Sequence, residues 1–308
     1  VAGLIAGDGA SSAGAYMGEA PGAGLVSVKV AGASGQTDLA TVIEGVGWTI
    51  SNAAVDNIRA LNMSLGYLPV ESTVLDPLDQ AVEQAWKAGI TVVVSAGNSG
   101  PGNGTILSPG DDPLVITAGA VDDGGQTDPS ADTMTSFSSV GPTNPDGFKP
   151  DLVTSGRSVV SLRDPGSTID TEYPSARVGT GNFVGSDTSF SAAITSGAAA
   201  LLIAEHPDDT PDIVKGTLLG TTSTGPVGNP FVDGHGILNV AAAASATPMT
   251  VSLPLPSDAT PMGGTVGLES TGSSSSWNPA NWTGSTWNGS NWTGSTWNGS
   301  TWNGSTWN

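Results

Sequence analysis

The sequence predicts an α/β protein, a doubly wound and mainly parallel sheet with helices on both faces, followed by a low-complexity C-terminal tail. Three observations carry this. Apolar β-branched runs alternate with segments of helical periodicity, the pattern of a parallel sheet whose crossovers are helices. Ile90-Thr91-Val92-Val93-Val94-Ser95-Ala96 is apolar almost without interruption, as a strand buried on both faces must be. After Ala246 the composition shifts to Pro, Ser, Thr and Gly and then to a tryptophan repeat. The 308 residues therefore divide into one α/β domain at 1–246, a linker at 247–272 and a repeat tail at 273–308.

In chain order, residues 1–7 read as the later part of a helix of small residues. Leu25–Val30 is a β-branched run after a Pro/Gly turn and is expected to be a buried parallel strand. Thr37–Asn52 places Leu39, Val42, Ile43, Val46 and Ile50 at helical spacing. Ile58–Gly66 returns to strand and ends in Asn62-Met63-Ser64-Leu65-Gly66. Asp76–Gly89 is the next helix, with Pro77 tolerated in its first turn and Gly89 placed to stop it. The strand Ile90–Ala96 runs into Gly97-Asn98-Ser99-Gly100-Pro101, and Val115–Val121 is a further strand. Ligands of such sheets sit at the carboxyl ends of the strands, where Ser64-Leu65-Gly66 and Asn98 fall. Pro207–Leu219 is a short closing helix.

Composition excludes several functions. Eight Lys plus Arg against 28 Asp plus Glu give a formal charge of −20, which repels nucleic acid and anionic membranes. There is no cysteine, hence no disulfide and no thiolate metal site. No apolar run approaches the length of a membrane span, so none is expected. The chain opens without an initiator Met or a basic stretch leading into an apolar one, so no signal peptide is expected within it.

The stretch that organises the chain is Gly185–Glu205. Ser186, Asp187, Thr188 and Ser189 precede a run of small and apolar residues, the mark of a capped helix N-terminus on a buried helix. Gly197-Ala198-Ala199-Ala200 lets neighbours approach closely. At the positive end of the helix dipole, Ser189 has a backbone amide beside it that favours an oxyanion.

Thr188-Ser189-Phe190 followed by Gly197-Ala198-Ala199-Ala200-Leu201-Leu202 resembles the catalytic-serine helix of subtilisin-like serine proteases, whose pattern is Gly-Thr-Ser-Met-Ala-x-Pro and then Gly-Ala-Ala-Ala-Leu-Leu. Ala96-Gly97-Asn98, Asn62-Met63-Ser64-Leu65-Gly66, Ser136-Phe137-Ser138 with Gly141-Pro142, and Lys149-Pro150-Asp151 match other motifs of that family in the same order. Val1-Ala2-Gly3-Leu4-Ile5-Ala6-Gly7 resembles the turn that follows its catalytic histidine. The resemblance implies a subtilisin-like fold and peptide hydrolysis through an acyl-serine. By it, Ser189 is the nucleophile and Asn98 the oxyanion donor. Ser64, Leu65 and Gly66 hold extended substrate, and Ala96 and Gly97 form a wall of the specificity pocket. It also implies polypeptide substrates and an extracellular location, with which the acidic surface agrees.

Several features depart from the pattern or lie beyond it. Asp187 stands where the family has glycine and Ala193 where it has proline. As a cap, Asp187 is expected to stabilise the helix while competing with an anionic intermediate for the same amides. The chain's two histidines, His206 and His235, fit no base motif, so the triad Asp and His are expected upstream of Val1 and this stretch alone is expected to be inactive. No cofactor is required. Calcium is common in the family, and Asp111-Asp112, Asp122-Asp123 and Asp208-Asp209 are acidic pairs, but their spacing matches no known loop and solvated turns are favoured, so no metal ligand is assigned. In the tail Trp recurs every five residues from Trp277 to Trp307, a period that forms a stripe on neither strand nor helix. A disordered tail is the favoured reading, and an adhesive one that stacks on glycans or a cell surface is the other. A protease-like binding module that has lost its chemistry stands as the alternative to the enzyme.

Overall fold

The computed structural model describes residues 1–32, 35–69, 72–143 and 147–250. The Trp-repeat tail and all but the first four residues of the linker lie outside the described residues.

Helix α1 (Ala2–Ala6) opens the chain, and α2 (Leu39–Asp56) follows, capped by Asp38, whose carboxylate accepts the Thr41 amide at 2.8 Å. Strand β1 (Ala60–Met63), helix α3 (Pro77–Lys87) and strand β2 (Thr91–Ser95) form a strand–helix–strand unit with β1 and β2 parallel. Gly89 has φ 87°, the left-handed turn that stops α3 as its sequence position foretold. Strand β3 (Ile116–Asp122) pairs parallel to β2, and the short β4 (Thr133–Met134) pairs antiparallel to the end of β3. Strand β5 (Leu152–Ser155) is again parallel to β3. A small antiparallel sheet follows, made of β6 (Val159–Leu162), β7 (Arg177–Val178) and β8 (Asn182–Gly185), with helix α4 (Thr168–Glu172) between its strands. The chain then runs through α5 (Thr188–Glu205), α6 (Pro211–Gly220) and α7 (Val240–Ser245).

Every residue of β2 is buried, and α3 and α5 both pack on it, so the parallel sheet is covered on both faces. Helix α5 crosses β1, β2, β3 and β5. Gly197 is the point of close approach on that helix, because a Cβ there would lie 2.5 Å from the Glu19 Cβ. By length and composition α5 reaches the threshold of a membrane-crossing helix, which the sequence reading did not anticipate. Its place as the core helix, 67% buried, accounts for that apolarity.

Leu25–Val30 corrects the expectation of a buried strand. The segment has no ladder partner among the described residues, and Leu25 and Val26 are exposed. Strand propensity reports a fit to a pleated, half-buried surface, and without a neighbouring strand that surface is not formed. Val30 instead packs beside α2, within 2.5 Å of where a Cβ on Gly45 would sit. The closing helix begins at Pro211 rather than Pro207, because Arg59 takes the carbonyls of Pro207 and Asp209 (2.7 and 3.1 Å) and holds that lead-in out of the helix.

Candidate active site

The first turn of α5 meets the carboxyl edge of the sheet. Thr188 donates both its amide and its hydroxyl to Asn98 Oδ1, each at 3.0 Å. Its hydroxyl also accepts the Gly97 amide at 3.2 Å. Because a backbone N–H can only be met by the amide oxygen, these bonds fix which way the Asn98 side chain faces. Nδ2 is left with no protein partner among the described residues, on a side chain bonded to the residue that precedes the partly exposed Ser189. Asp187 caps the helix as expected, in extended backbone (φ −174°, ψ 151°), and its Oδ1 accepts the Ser189 amide at 2.7 Å.

A second chain of hydrogen bonds ties the end of β1 to the same turn. Ser64 Oγ donates to the Ser189 carbonyl at 3.0 Å and accepts from Asn62 Nδ2 at 2.9 Å, while Ser196 Oγ donates to Asn62 Oδ1 at 2.9 Å. Sequence reasoning missed Asn62, Thr188 and Ser196 as positioning groups. Their only sequence signal is polar side chains at the end of an apolar strand and on an apolar helix.

Ser64-Leu65-Gly66 and Ala96-Gly97, following two adjacent parallel strands, are brought side by side with Leu107 between them. A Cβ on Gly66 would lie 2.9 Å from the Leu107 Cβ, and one on Gly97 would lie 2.7 Å from its Cγ. Gly97 also has φ 107°, so two independent constraints require glycine there. The Leu107 amide bonds the Ala96 carbonyl at 3.1 Å, and Ser108 exchanges both backbone bonds with Tyr67. Leu107 is thus the apolar partition between the two glycine-bearing segments, and nothing in its local sequence marks it.

Neither histidine is placed at Ser189. His206 is the C-cap of α5, at the far end of an 18-residue helix, and the His235 ring nitrogen Nδ1 lies 3.2 Å from the Asp151 carbonyl.

Behind the Leu107 segment sits a group of carboxylates that corrects the reading of Asp111-Asp112 as a solvated turn. Asp111 is 5% exposed and Asp112 fully buried, facing Asp76, Asp79 and Glu83 of the α3 turn. Burial, with Asp76 adding to it, pushes Asp111 up to about 7, and burial with Glu83 does the same to Asp112. Asp79 is also raised well above the usual carboxylate range, by burial and then by Asp76, Asp111 and Asp112. Asp79 Oδ2, Asp111 Oδ1 and Asp112 Oδ2 are buried without a hydrogen-bond partner among the described residues. These oxygens have the chemistry of calcium ligands, but no three acidic or histidine side chains among the described residues converge on a common point. Asp122-Asp123 and Asp208-Asp209 remain at the surface, at least partly exposed.

Two buried lysines share one carboxylate nearby, and Lys149 also lowers Asp111 and Asp112 against their burial. Lys149 Nζ bonds Asp151 Oδ2 at 2.7 Å, and Lys215 Nζ bonds Asp151 Oδ1 at 3.0 Å. Lys215 also donates to the carbonyls of Pro113, Leu114 and Val115. Burial works to raise Asp151, but the two ammonium groups outweigh it and hold the carboxyl below its ordinary range.

Fold and site together define an α/β protein that presents a serine at the head of a buried helix, beside an asparagine fixed at the carboxyl edge of its sheet. The chain belongs to the subtilase family: residues 1–238 match it as peptidase S8. It is 45% identical over 243 residues to serine protease AprX of Bacillus subtilis (strain 168), covering 77% of this chain and 55% of that protein. It is 34% identical over 230 residues to subtilisin NAT of Bacillus subtilis subsp. natto, covering 74% of this chain and 51% of that one. The chain spans about half the length of these curated relatives. Among solved structures it resembles sphericase, with a TM-score of 0.64 at 25% identity over 78% of this chain and 76% of that one. It also resembles S41 psychrophilic protease, with a TM-score of 0.62 at 25% identity over 78% of this chain and 75% of that one.

Proposed function

We propose that residues 1–308 are the serine-bearing part of a secreted subtilisin-like endopeptidase. Ser189 Oγ adds to the scissile carbonyl carbon as its proton passes to an imidazole base. The tetrahedral oxyanion receives Asn98 Nδ2, and the C–N bond breaks as that proton moves to the leaving amine. The substrate lies extended along Ser64-Leu65-Gly66, with a side chain entering between that segment and Ala96-Gly97 over Leu107. The base and its orienting acid come from outside residues 1–308, which alone are inactive. The observation that carries this reading is the Thr188 clamp, which commits Asn98 Oδ1 to the residue before Ser189 and frees Nδ2. Membership of the subtilase family and the names of the relatives support it. They also support secretion, since the acidic surface (net −20) suits a protein outside the cell. In this reading the tail, with its evenly spaced indoles, is the part that touches glycans or a cell surface.

The test is peptide hydrolysis by the full-length parent, together with the coding sequence ahead of Val1. Ser189→Ala is expected to abolish hydrolysis, and Asn98→Ala to lower kcat by about 10² with KM little changed. Hydrolysis that survives Ser189→Ala, or an upstream sequence without histidine and aspartate motifs, would overturn it. The alternative, a binding module on a protease fold, is favoured by the Asp187 contact with the Ser189 amide and predicts a full-length parent that folds without hydrolysing peptides.

A further inference from the structure

We propose that Asp187 is a gate on the oxyanion site, an internal carboxylate that occupies the Ser189 amide in the resting protein and must be displaced each time an anion forms there. The inference rests on the acyl-serine reading and adds a control to it.

The geometry is specific. The amides at the start of α5 are divided between two acceptors: Thr188 N–H goes to Asn98 Oδ1 at 3.0 Å and Ser189 N–H to Asp187 Oδ1 at 2.7 Å. Of the two donors that could face an oxygen bonded to carbon at Ser189 Oγ, Asn98 Nδ2 is free and the Ser189 amide is taken. Asp187 is itself held firmly. It is 2% exposed, and its own amide donates to the Gly156 carbonyl at 2.8 Å. A Cβ on Gly156 would come within 3.1 Å of the Asp187 carbonyl, so the two backbones are in close contact. The carboxylate therefore does not swing in from solvent but is built into the helix start.

The consequence falls on the transition state alone. A neutral substrate carbonyl makes little demand on the Ser189 amide, whereas a developing oxyanion needs it and is repelled by the carboxylate that holds it. Asp187 thus stabilises the helix and slows acylation, and leaves substrate affinity nearly untouched.

A peptide boronic acid reads this directly. Ser189 Oγ bonds to boron, the hydroxyl proton passes to the imidazole base, and the tetrahedral boron carries the negative charge in place of the oxyanion. The experiment compares the full-length parent with Asp187→Gly and Asp187→Asn. The asparagine variant keeps a capping oxygen, which guards against loss of the fold. Asp187→Gly is expected to tighten boronate binding by about 10²-fold and Asp187→Asn by less, with KM for the matching peptide changed by less than about threefold. Equal boronate affinity in all three forms would overturn the gate and leave the acyl-serine reading standing. Binding by none of them would overturn both.

Discussion

Helices α3 and α5 each begin on an aspartate in extended backbone whose carboxylate accepts amides of the first turn, yet the two turns are used differently. At α3 Asp76 Oδ1 takes the amides of Leu78 and Asp79 (2.8 and 3.4 Å), and Oδ2 takes the Tyr67 hydroxyl. Both oxygens are spoken for, all partners are internal, and the cap locks the residue after Gly66 to the helix behind it. At α5 the amides are shared between Asp187 and a side chain from another element, Asn98, and one strong donor, Asn98 Nδ2, has no hydrogen-bond partner among the described residues. A helix start whose polar groups are fully matched is a joint. One that leaves a fixed donor beside a partly exposed hydroxyl can do chemistry. The matched joint carries its own penalty, since closing it brings Asp79, Asp111 and Asp112 together in a buried space.

The largest break in this comparison is Asp76→Ala. At pH 5, where the neighbouring carboxyls hold their protons, it removes the acceptor of two amides and the Asp76 bond of the Tyr67 hydroxyl, which also meets Ser108. A loss of about 3 kcal/mol is expected in a urea titration. A loss below about 1 kcal/mol would mean that water takes the place of the carboxylate.

Asp111→Asn sharpens the same contrast through pH. A carboxyl whose folded pKa of about 7 exceeds its ordinary value of 3.8 binds more protons folded than unfolded across that interval. Stability therefore falls as pH rises from about 4 to about 7 and is flat above. The asparagine variant should lose part of that slope and be more stable than the parent at pH 8 by on the order of 2 kcal/mol. Asp151 gives the opposite sign: its carboxyl is depressed, so its contribution is present above its ordinary value of 3.8 and is lost as pH falls through the folded value. Parallel pH profiles for parent and Asp111→Asn would show that the acidic group is not the source of the slope.

The smallest effect in stability is Thr188→Val, at about 1 kcal/mol, because it removes one donor to Asn98 and the acceptor of the Gly97 amide. Its signature lies in kinetics. With Asn98 less firmly held, kcat of the full-length parent should fall about tenfold at constant KM. A change confined to KM would place Thr188 in substrate binding instead.

Much of the frame was legible because its signals are local. The apolar run around Val92-Val93-Val94 could only be a doubly buried strand, and Asp76, Pro77 and Gly89 spell the start and stop of α3. Asp187 was legible as a cap for the same reason. What escaped depended on partners distant in sequence. Leu25–Val30 has strand composition but no strand beside it, and Asp111-Asp112 reads as a surface turn until α3 packs over it. The Ser196–Asn62–Ser64–Ser189 chain joins residues up to 134 positions apart through side chains that carry no pattern of their own. Leu107 matters only because two glycines from two strands face it.

In the proposed reaction Ser189, at the open helix start, is the residue that is acylated. The most direct measurement is fluorophosphonate labelling of the full-length parent, followed by mass mapping of the adduct. A single adduct is expected on the peptide containing Thr188-Ser189-Phe190, absent in Ser189→Ala and slowed in Asn98→Ala. An adduct on a different residue, or a folded full-length parent that takes no label, would contradict it.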